Sequence, residues 1–474
     1  MLNIIQVNLK DSRGGAAAVA GNLHQAYQKR GLNCWMVVGK RLTEDPRVLA
    51  LPYDNGKSLY LSAIDKALKK IRSYKWRNIG LGTLDKALQI IGQPQRIRDS
   101  AKGLEDFNYP GSWRLLELAT PNPNIVHCHN LHTRYFDLRV LPWLSHQIPV
   151  LLTLHDAWLL SGHCAHSFEC DLWKCGCGSC PDLSIYPAIK RDASGANWLR
   201  KREIFSKSKF YIATPSAWLM QRVKESMLVP GIIESRVIPN GVDISVFRPV
   251  PKQHAKAKLG IPENSKTILF SANGIRRNVW KDFKTIRSAI TLVAEHFQDN
   301  EIIFLALGED APMEVIENAR IRFIPFQENP QAVASYYQAA DIYVHAARVD
   351  TFPTSILEAL ACGTPAVATS VGGIPEQIKS LATGANAECG PLFKSGDATG
   401  ILVPPGDHCA MADGIIRLFD NKPLCRQLRG NAVEDARKRF SLARQVDEYI
   451  EWYQKIVNTK PSGNLSRNAE KINN

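Results

Sequence analysis

Asp341-Ile-Tyr-Val-His-Ala-Ala-Arg-Val-Asp350-Thr-Phe-Pro-Thr-Ser-Ile-Leu-Glu358-Ala-Leu-Ala-Cys-Gly-Thr-Pro365-Ala-Val-Ala-Thr-Ser-Val-Gly-Gly373-Ile-Pro-Glu376 is the stretch on which the fold turns. A β-rich run, Ile342 to Val344, leads into a loop, and the loop leads into a helix. Asp350 precedes that helix, and Glu358 lies about one to two turns inside it. Both carboxylates can therefore face one ligand above the helix N-terminus. Unpaired amides and the helix dipole attract a diphosphate there. Pro365 opens a second buried strand, Ala366 to Ala368, which ends near a Gly-Gly turn. Two acids at this spacing, taken by themselves, read as a helix cap and a solvated helical glutamate. The whole string favours a ligand site.

The pattern repeats outward in both directions. Residues 2 to 8 read as a strand. Asp11-Ser-Arg-Gly14-Gly15 is a glycine turn into a helix over Ala16 to Arg30, and Cys34 to Val38 is the next strand. Strand, turn, helix, strand is a βαβ opening. Ile125 to Cys128, Val150 to Leu154 and Phe210 to Ala213 are further short buried strands. Pro249, Pro251 and Pro262 break the pattern, which places a domain boundary there. The second half restarts with strands at Thr267 to Ser271, Ile302 to Leu307 and Ile321 to Pro325. A last helix runs from Leu442 to Val457 and carries Tyr449, Trp452 and Tyr453. The expected division is 1–245, 246–440, a helix over 441–458 and a polar, disordered tail from 459.

Composition bounds the function. A chain of 474 residues with 45% hydrophobic and 22% charged content holds two or three domains with real cores. No apolar run is long enough to span a bilayer, and the first residues read as a strand rather than a signal peptide. The expected location is the cytoplasm, with peripheral attachment at the inner face of the membrane. The net charge of +14 calls for an anionic partner. Between Lys57 and Lys102, eleven basic residues face three acids, a net +8. Leu59, Leu61, Ile64, Leu68 and Ile71 fall near helical spacing among them. A basic amphipathic helix on an anionic membrane and a solvated helix packed on its own domain are both open readings. This insertion, residues 55–110, carries no recognised nucleic-acid motif, so nucleic acid is not an expected partner.

The acidic string resembles the donor-binding signature of the retaining family-4 glycosyltransferases, E-x7-E followed by A-C-G-T-P. Here Asp350 stands in place of the first Glu. The resemblance implies the GT-B fold: two Rossmann-like α/β domains facing a central cleft, the second binding a nucleotide-sugar. It implies that Asp350 holds the donor sugar and Glu358 the ribose, with Phe352, Pro353, Thr354 and Ser355 in the donor site between them. It implies that Arg276 and Lys281 grip the diphosphate, with Arg277 as the alternative to Arg276. It sets His155, in Leu-His155-Asp156-Ala-Trp158, beside the reacting sugar and its acceptor. Within this frame Gly14 and Gly15 let the backbone approach a phosphate or the acceptor. His127, His129 and His132 line a neighbouring loop. The implied reaction moves a sugar, with retained configuration, from a nucleotide diphosphate to a glycan or lipid-linked acceptor. Positioning and charge stabilisation drive it, without a catalytic cofactor. Other readings are a GT-B epimerase or phosphorylase, and a nucleic-acid-binding protein.

A second cluster stands apart. Residues 163–181 hold five of the eleven cysteines. Cys164, Cys170, Cys177 and Cys180 have spacing suited to a structural tetrahedral zinc site, with Cys175, His163 and His166 as further candidate ligands. Disulfides and free thiols are the other readings. Similar loops follow the H-D-x-W segment in the colanic-acid branch of the resembled family.

Overall fold

The computed structural model describes residues 2–52, 94–119, 121–383 and 386–459. Each half of the chain builds one sheet. The first half supplies β1 (Asn3–Lys10), β2 (Asn33–Lys40), β3 (Val48–Ala50), β4 (Ile125–Cys128), β5 (Val150–Thr153), β6 (Phe210–Thr214) and β7 (Ile232–Val237). They lie side by side in the order β3-β2-β1-β4-β5-β6-β7, and every neighbouring pair is parallel.

The second half supplies β8 (Lys266–Ser271), β9 (Ile302–Leu307), β10 (Glu314–Ile316), β11 (Ala319–Ile324) and β12 (Ile342–His345). It continues with β13 (Ala366–Thr369), β14 (Ser380–Leu381), β15 (Leu392–Phe393) and β16 (Gly400–Val403). Their order is β10-β11-β9-β8-β12-β13-β16-β14-β15. Among the described pairs only β10 with β11 is antiparallel.

The short apolar runs become strands because helices cover both faces of a parallel sheet. Every residue of β4, β5, β12, β13 and β16 is accordingly buried. Strand order then positions the site. In the first sheet the chain moves outward from β1 to β3, then returns to β4 on the other side of β1. In the second sheet the same reversal falls between β8 and β12. Loops leaving the carboxyl ends of such strand pairs diverge and open a crevice. The glycine turn follows β1, and His129 to His132 follow β4. Arg276 to Lys281 follow β8, and Asp350 follows β12.

The last helix, Leu442–Thr459, returns to the first domain. Val446, Tyr449, Trp452, Tyr453 and Ile456 lie buried against Ile4, Leu23, Tyr27, Ile125 and Leu151. Their spacing of three and four residues makes one apolar stripe. The two domains also meet near the cleft. The Glu376 carboxylate accepts the amides of Ala217 at 2.7 Å and Trp218 at 2.8 Å, which open the first-domain helix Ala217–Lys224.

The basic segment's amphipathic stretch, with Leu59, Ile64, Leu68 and Ile71, lies outside the described residues, as does the tail from residue 460. Among the described residues no helix is long and apolar enough to cross a membrane.

Candidate active site

The loop after β12 and the loop after β8 meet at one ion pair. Lys281 Nζ donates to Asp350 Oδ2 at 2.5 Å and to His345 Nε2 at 2.9 Å. His345 Nδ1 lies 2.9 Å from the Tyr343 hydroxyl, so the ring donates there and accepts from the lysine. Burial would raise the Asp350 carboxyl. The Lys281 ammonium and the His345 ring outweigh burial and hold it well below the usual carboxylate range. Burial, helped by Lys281, lowers His345 to about 4. Asp350 is therefore an anion and His345 a neutral ring at pH 7. Chain geometry holds the loop in place. Gly372 adopts φ +58°, and a Cβ there would sit 1.8 Å from the Asp350 carbonyl oxygen. Only glycine lets this turn lie against the Asp350 backbone.

The helix after Asp350 spans Thr354–Ala361 and starts at Pro353, with no side-chain cap. Its first amides, on Thr354 and Ser355, are thus free of a capping oxygen. Phe352 is buried beneath them. Glu358 stands one turn further on, half-buried, and burial raises its carboxyl to about 7. The buried Tyr337 hydroxyl beside it works against that rise by hydrogen-bonding the carboxylate.

Arg276 and Arg277 part company. Arg276 Nε reaches Glu309 at 2.7 Å, its Nη1 lies 3.7 Å from Glu314, and its guanidinium covers Phe323. Arg277 is exposed. The structure thus pairs Lys281 with Asp350 and turns Arg276 toward an acidic pair on its own domain.

The first domain forms the facing wall. Gly14 adopts φ +121°, and neither Gly14 nor Gly15 has an atom within 4 Å of where a Cβ would stand. Space beside this turn is open. Arg13, just before it, pairs with Glu328 of the second domain. His155 closes β5, half-buried, with Nε2 3.0 Å from His129 Nδ1. His127 is fully buried, bonded to Thr153 at 2.7 Å and to Tyr453 at 2.6 Å. His132 pairs with Asp156 at 2.9 Å. Of the four histidines, His127, His129 and His132 each have both ring nitrogens paired inside the protein.

The cysteine-rich loop reaches across the cleft. Phe168 stacks on Trp280 with ring centroids 5.5 Å apart, and His166 packs on the same indole at 5.5 Å. Trp280 precedes Lys281. Phe168 holds a left-handed φ of +47°, which costs about 1–2 kcal/mol. An aromatic pair contributes about 0.5–1.5 kcal/mol and offsets much of that. Burial lowers His166, against the pull of both Asp156 and Asp350. The two walls therefore act on one imidazole. Sequence reasoning missed His345, Trp280 and Phe168. A polar residue ending a buried run was the available signal for His345.

All eleven cysteines are free thiols. Cys177 Sγ accepts the Gly162 amide at 3.3 Å, and Cys180 Sγ lies 3.2 Å from His163 Nε2. Among the described residues no three His, Cys, Asp or Glu side chains gather as a metal ion requires. Cys164, Cys170, Cys177 and Cys180, whose spacing suggested a zinc site, lie in one loop within reach of one another's charge.

The profile "Glycosyltransferase Family 4" matches residues 13–246, and "Glycosyl transferases group 1" matches residues 251–435. The glycosyl transferase WcaC of Escherichia coli (strain K12), named for colanic acid biosynthesis, is 23% identical over 96% of this chain and 100% of its own length. D-inositol 3-phosphate glycosyltransferase 1 of Catenulispora acidiphila is 26% identical over 46% of this chain and 50% of its own. Anabaena Alr3699/HepE, solved with UDP and glucose, superposes with TM-score 0.58 at 14% identity, over 96% of this chain and 100% of that one. Sucrose-phosphate synthase from Thermosynechococcus elongatus superposes with TM-score 0.59 at 16% identity, over 97% and 100%. Two parallel-sheet domains, a basic and acidic pair at the second sheet's switch point and two matching profiles lead to one assignment. The chain is a glycosyltransferase of the family-4 type with the GT-B fold.

Proposed function

We propose that this enzyme transfers a sugar from a nucleotide-diphosphate donor to a glycan or lipid-linked acceptor in surface-polysaccharide assembly, with the anomeric configuration retained. The Lys281–Asp350 pair carries the reading. An ammonium and a carboxylate sit together at the switch point, beside a helix start that has no cap. The helix start and Lys281 receive the diphosphate, and Asp350 receives sugar hydroxyls. Glu358, one helical turn on, receives the ribose. UDP and UDP-glucose in the HepE structures support a uridine nucleotide. WcaC's place in colanic acid biosynthesis supports a polysaccharide acceptor.

Breaking the glycosidic bond leaves negative charge on the diphosphate. Lys281 and Arg277 neutralise it as it grows, which lowers the barrier more than it tightens substrate binding. The leaving phosphate itself takes the acceptor's proton on the same face of the sugar. The enzyme works at the inner membrane face, drawn there by the basic residues between Lys57 and Lys102, each contributing about 1 kcal/mol on an anionic surface.

A thermal-shift panel of nucleotide diphosphates and nucleotide sugars tests the donor. A true donor raises the melting temperature. Lys281→Met abolishes that rise and lowers kcat about 10²–10³-fold. A panel with no stabilising nucleotide overturns the reading. For the membrane, wild type binds anionic liposomes at low salt and releases at high salt. The variant with Lys66, Lys69, Lys70 and Arg72 replaced by Gln stays in solution. Sedimentation of that variant with the liposomes refutes the attachment.

A further inference from the structure

The cysteine-rich loop delivers one imidazole, that of His166, to the cleft. The residues on both sides of it are tied to their own domain. The Ala165 carbonyl accepts the Ala157 amide at 2.7 Å, and the Ala165 amide donates to the Tyr186 carbonyl at 2.8 Å. Ser167 Oγ accepts from Arg222 Nη1 at 2.9 Å, and the Ser167 carbonyl accepts the Cys170 amide at 2.8 Å. His166 is fixed between these anchors, half-buried, with its ring packed on the Trp280 indole at 5.5 Å. Trp280 is held in turn by the second domain. Its amide donates to Asn278 Oδ1 at 3.1 Å, and its carbonyl accepts the Arg348 amide at 3.0 Å. Among the described residues no hydrogen bond reaches either ring nitrogen of His166, and only burial and charges act on the ring. A polar ring placed this firmly and left without a protein partner is satisfied by water or by a ligand.

We propose that His166 is a further donor-sugar contact, exchanging hydrogen bonds with hydroxyls of the same sugar that Asp350 receives, with the Trp280 indole as the wall beside it. The inference rests on the nucleotide-sugar reading of the cleft. Burial lowers the ring and keeps it neutral, so it carries one N–H donor and one bare nitrogen. Neighbouring sugar hydroxyls can use both, because a hydroxyl donates and accepts. A phosphate oxygen only accepts and can use one. Charge points the same way. Asp350, and Asp156 in its pair with His132, pull on His166, and each pull exceeds the opposing effect of Arg222 or of Lys281. A ring set between two carboxylates belongs to the hydroxyl side of the site, and the diphosphate belongs to the Lys281 side. Phe168 stacks on the same indole with the ring planes 13° apart. Apolar contact thus holds the loop across the cleft and leaves the imidazole for the ligand.

Calorimetry of the full chain with UDP and with UDP-glucose separates the sugar contact from the nucleotide contacts. His166→Phe keeps an aromatic ring on Trp280 and removes both polar groups. It should bind UDP as the wild type does and bind UDP-glucose about tenfold more weakly, the scale of a lost hydrogen bond. His166→Gln restores a donor and an acceptor and should recover most of that affinity. Unchanged UDP-glucose affinity in His166→Phe, or an equal loss for UDP, overturns the proposal. A second measurement needs no variant. Diethyl pyrocarbonate acylates bare imidazole nitrogens, and peptide mass spectrometry reads the product at His166 in the wild type. UDP-glucose should protect His166 severalfold more than UDP does, and equal protection by the two ligands overturns the assignment to the sugar. Binding of UDP-glucose with His166 left unprotected sinks this inference alone. Failure of the wild type to bind either ligand sinks the uridine-donor reading and this inference with it.

Discussion

Asp350 and Glu358 are carboxylates on one loop-helix unit, yet they hold their protons very differently. Asp350 has the Lys281 ammonium 2.5 Å away. Glu358 has no such cation, and burial brings it to about 7. In the proposed function a ribose hydroxyl donates to the ionised carboxylate, so nucleotide binding there expels a proton from Glu358. Affinity should rise as pH climbs through 7 and level off above it. Below 7 it should fall by up to about tenfold per pH unit, the limit for one proton per ligand. Glu358→Gln should bind more weakly at pH 8 and lose this slope. Calorimetric titration of UDP between pH 6 and pH 8 checks both. Both acids were legible in the sequence as a spaced pair. Their opposite charge states were not, because a carboxyl's proton affinity depends on which distant groups the fold brings beside it. Lys281 is 69 positions from Asp350.

At the scale of elements, the loop after β8 shows what spacing leaves open. Arg276 and Arg277 are adjacent and chemically alike. Glu309, which follows β9, and Glu314, in β10, capture Arg276. Arg277→Ala should therefore lower kcat more than Arg276→Ala does. Arg276 is 43% exposed, so its loss should cost about 0–1 kcal/mol of stability. Steady-state kinetics of the two variants side by side, with urea unfolding, decides the matter. Equal damage to kcat would return Arg276 to the site. The helix Leu442–Thr459 is the opposite case, because its apolar stripe was readable from period alone. Trp452 is fully buried in the joint between that helix and the first domain. Trp452→Ala should cost about 3–5 kcal/mol, read as a lower urea midpoint. The short strands β3, β10, β14 and β15 escaped detection. Each is three residues or fewer, too short to carry a periodic signal.

At the scale of the whole molecule, buried histidines set the acid limit. His155 and His345 are lowered from 6.5 to about 4 by burial. The unfolded chain therefore binds protons that the folded chain refuses. Their stabilisation is whole above pH 6.5 and drains away as pH falls toward 4. Glu358 acts in the opposite sense, since its folded value of about 7 lies above its ordinary 4.5. Its contribution is present below 4.5 and is lost as pH rises through 7. Two histidines outweigh one carboxyl, and His127 and His129, also lowered by burial, add to them. Stability should be lower at pH 5 than at pH 7, on the order of a few kcal/mol at 1.36 kcal/mol per pKa unit. Urea midpoints at the two pH values measure it. An equal or higher midpoint at pH 5 would show that these rings are not neutral in the folded protein.

Apolar runs and their spacing determined the class of this protein by themselves. A run such as Ile125 to Cys128 or Val150 to Leu154 has no alternation, and such strands are stable only when covered on both faces. Two sets of such runs, separated by prolines, already amount to two parallel α/β domains. The acidic string already marked the half of the chain to which the proposed function gives the donor. Tertiary structure alone decided which side chains meet. It joined Lys281 to Asp350, paired Arg276 with Glu309 and Glu314, packed Phe168 and His166 on Trp280, and lined Gln6 and His129 behind His155. Periodicity is a local property, written every two or four residues. Contacts across a crevice depend on strand order and domain approach, and these bring together residues far apart in the chain, as at Arg13 with Glu328 and Glu376 with Ala217.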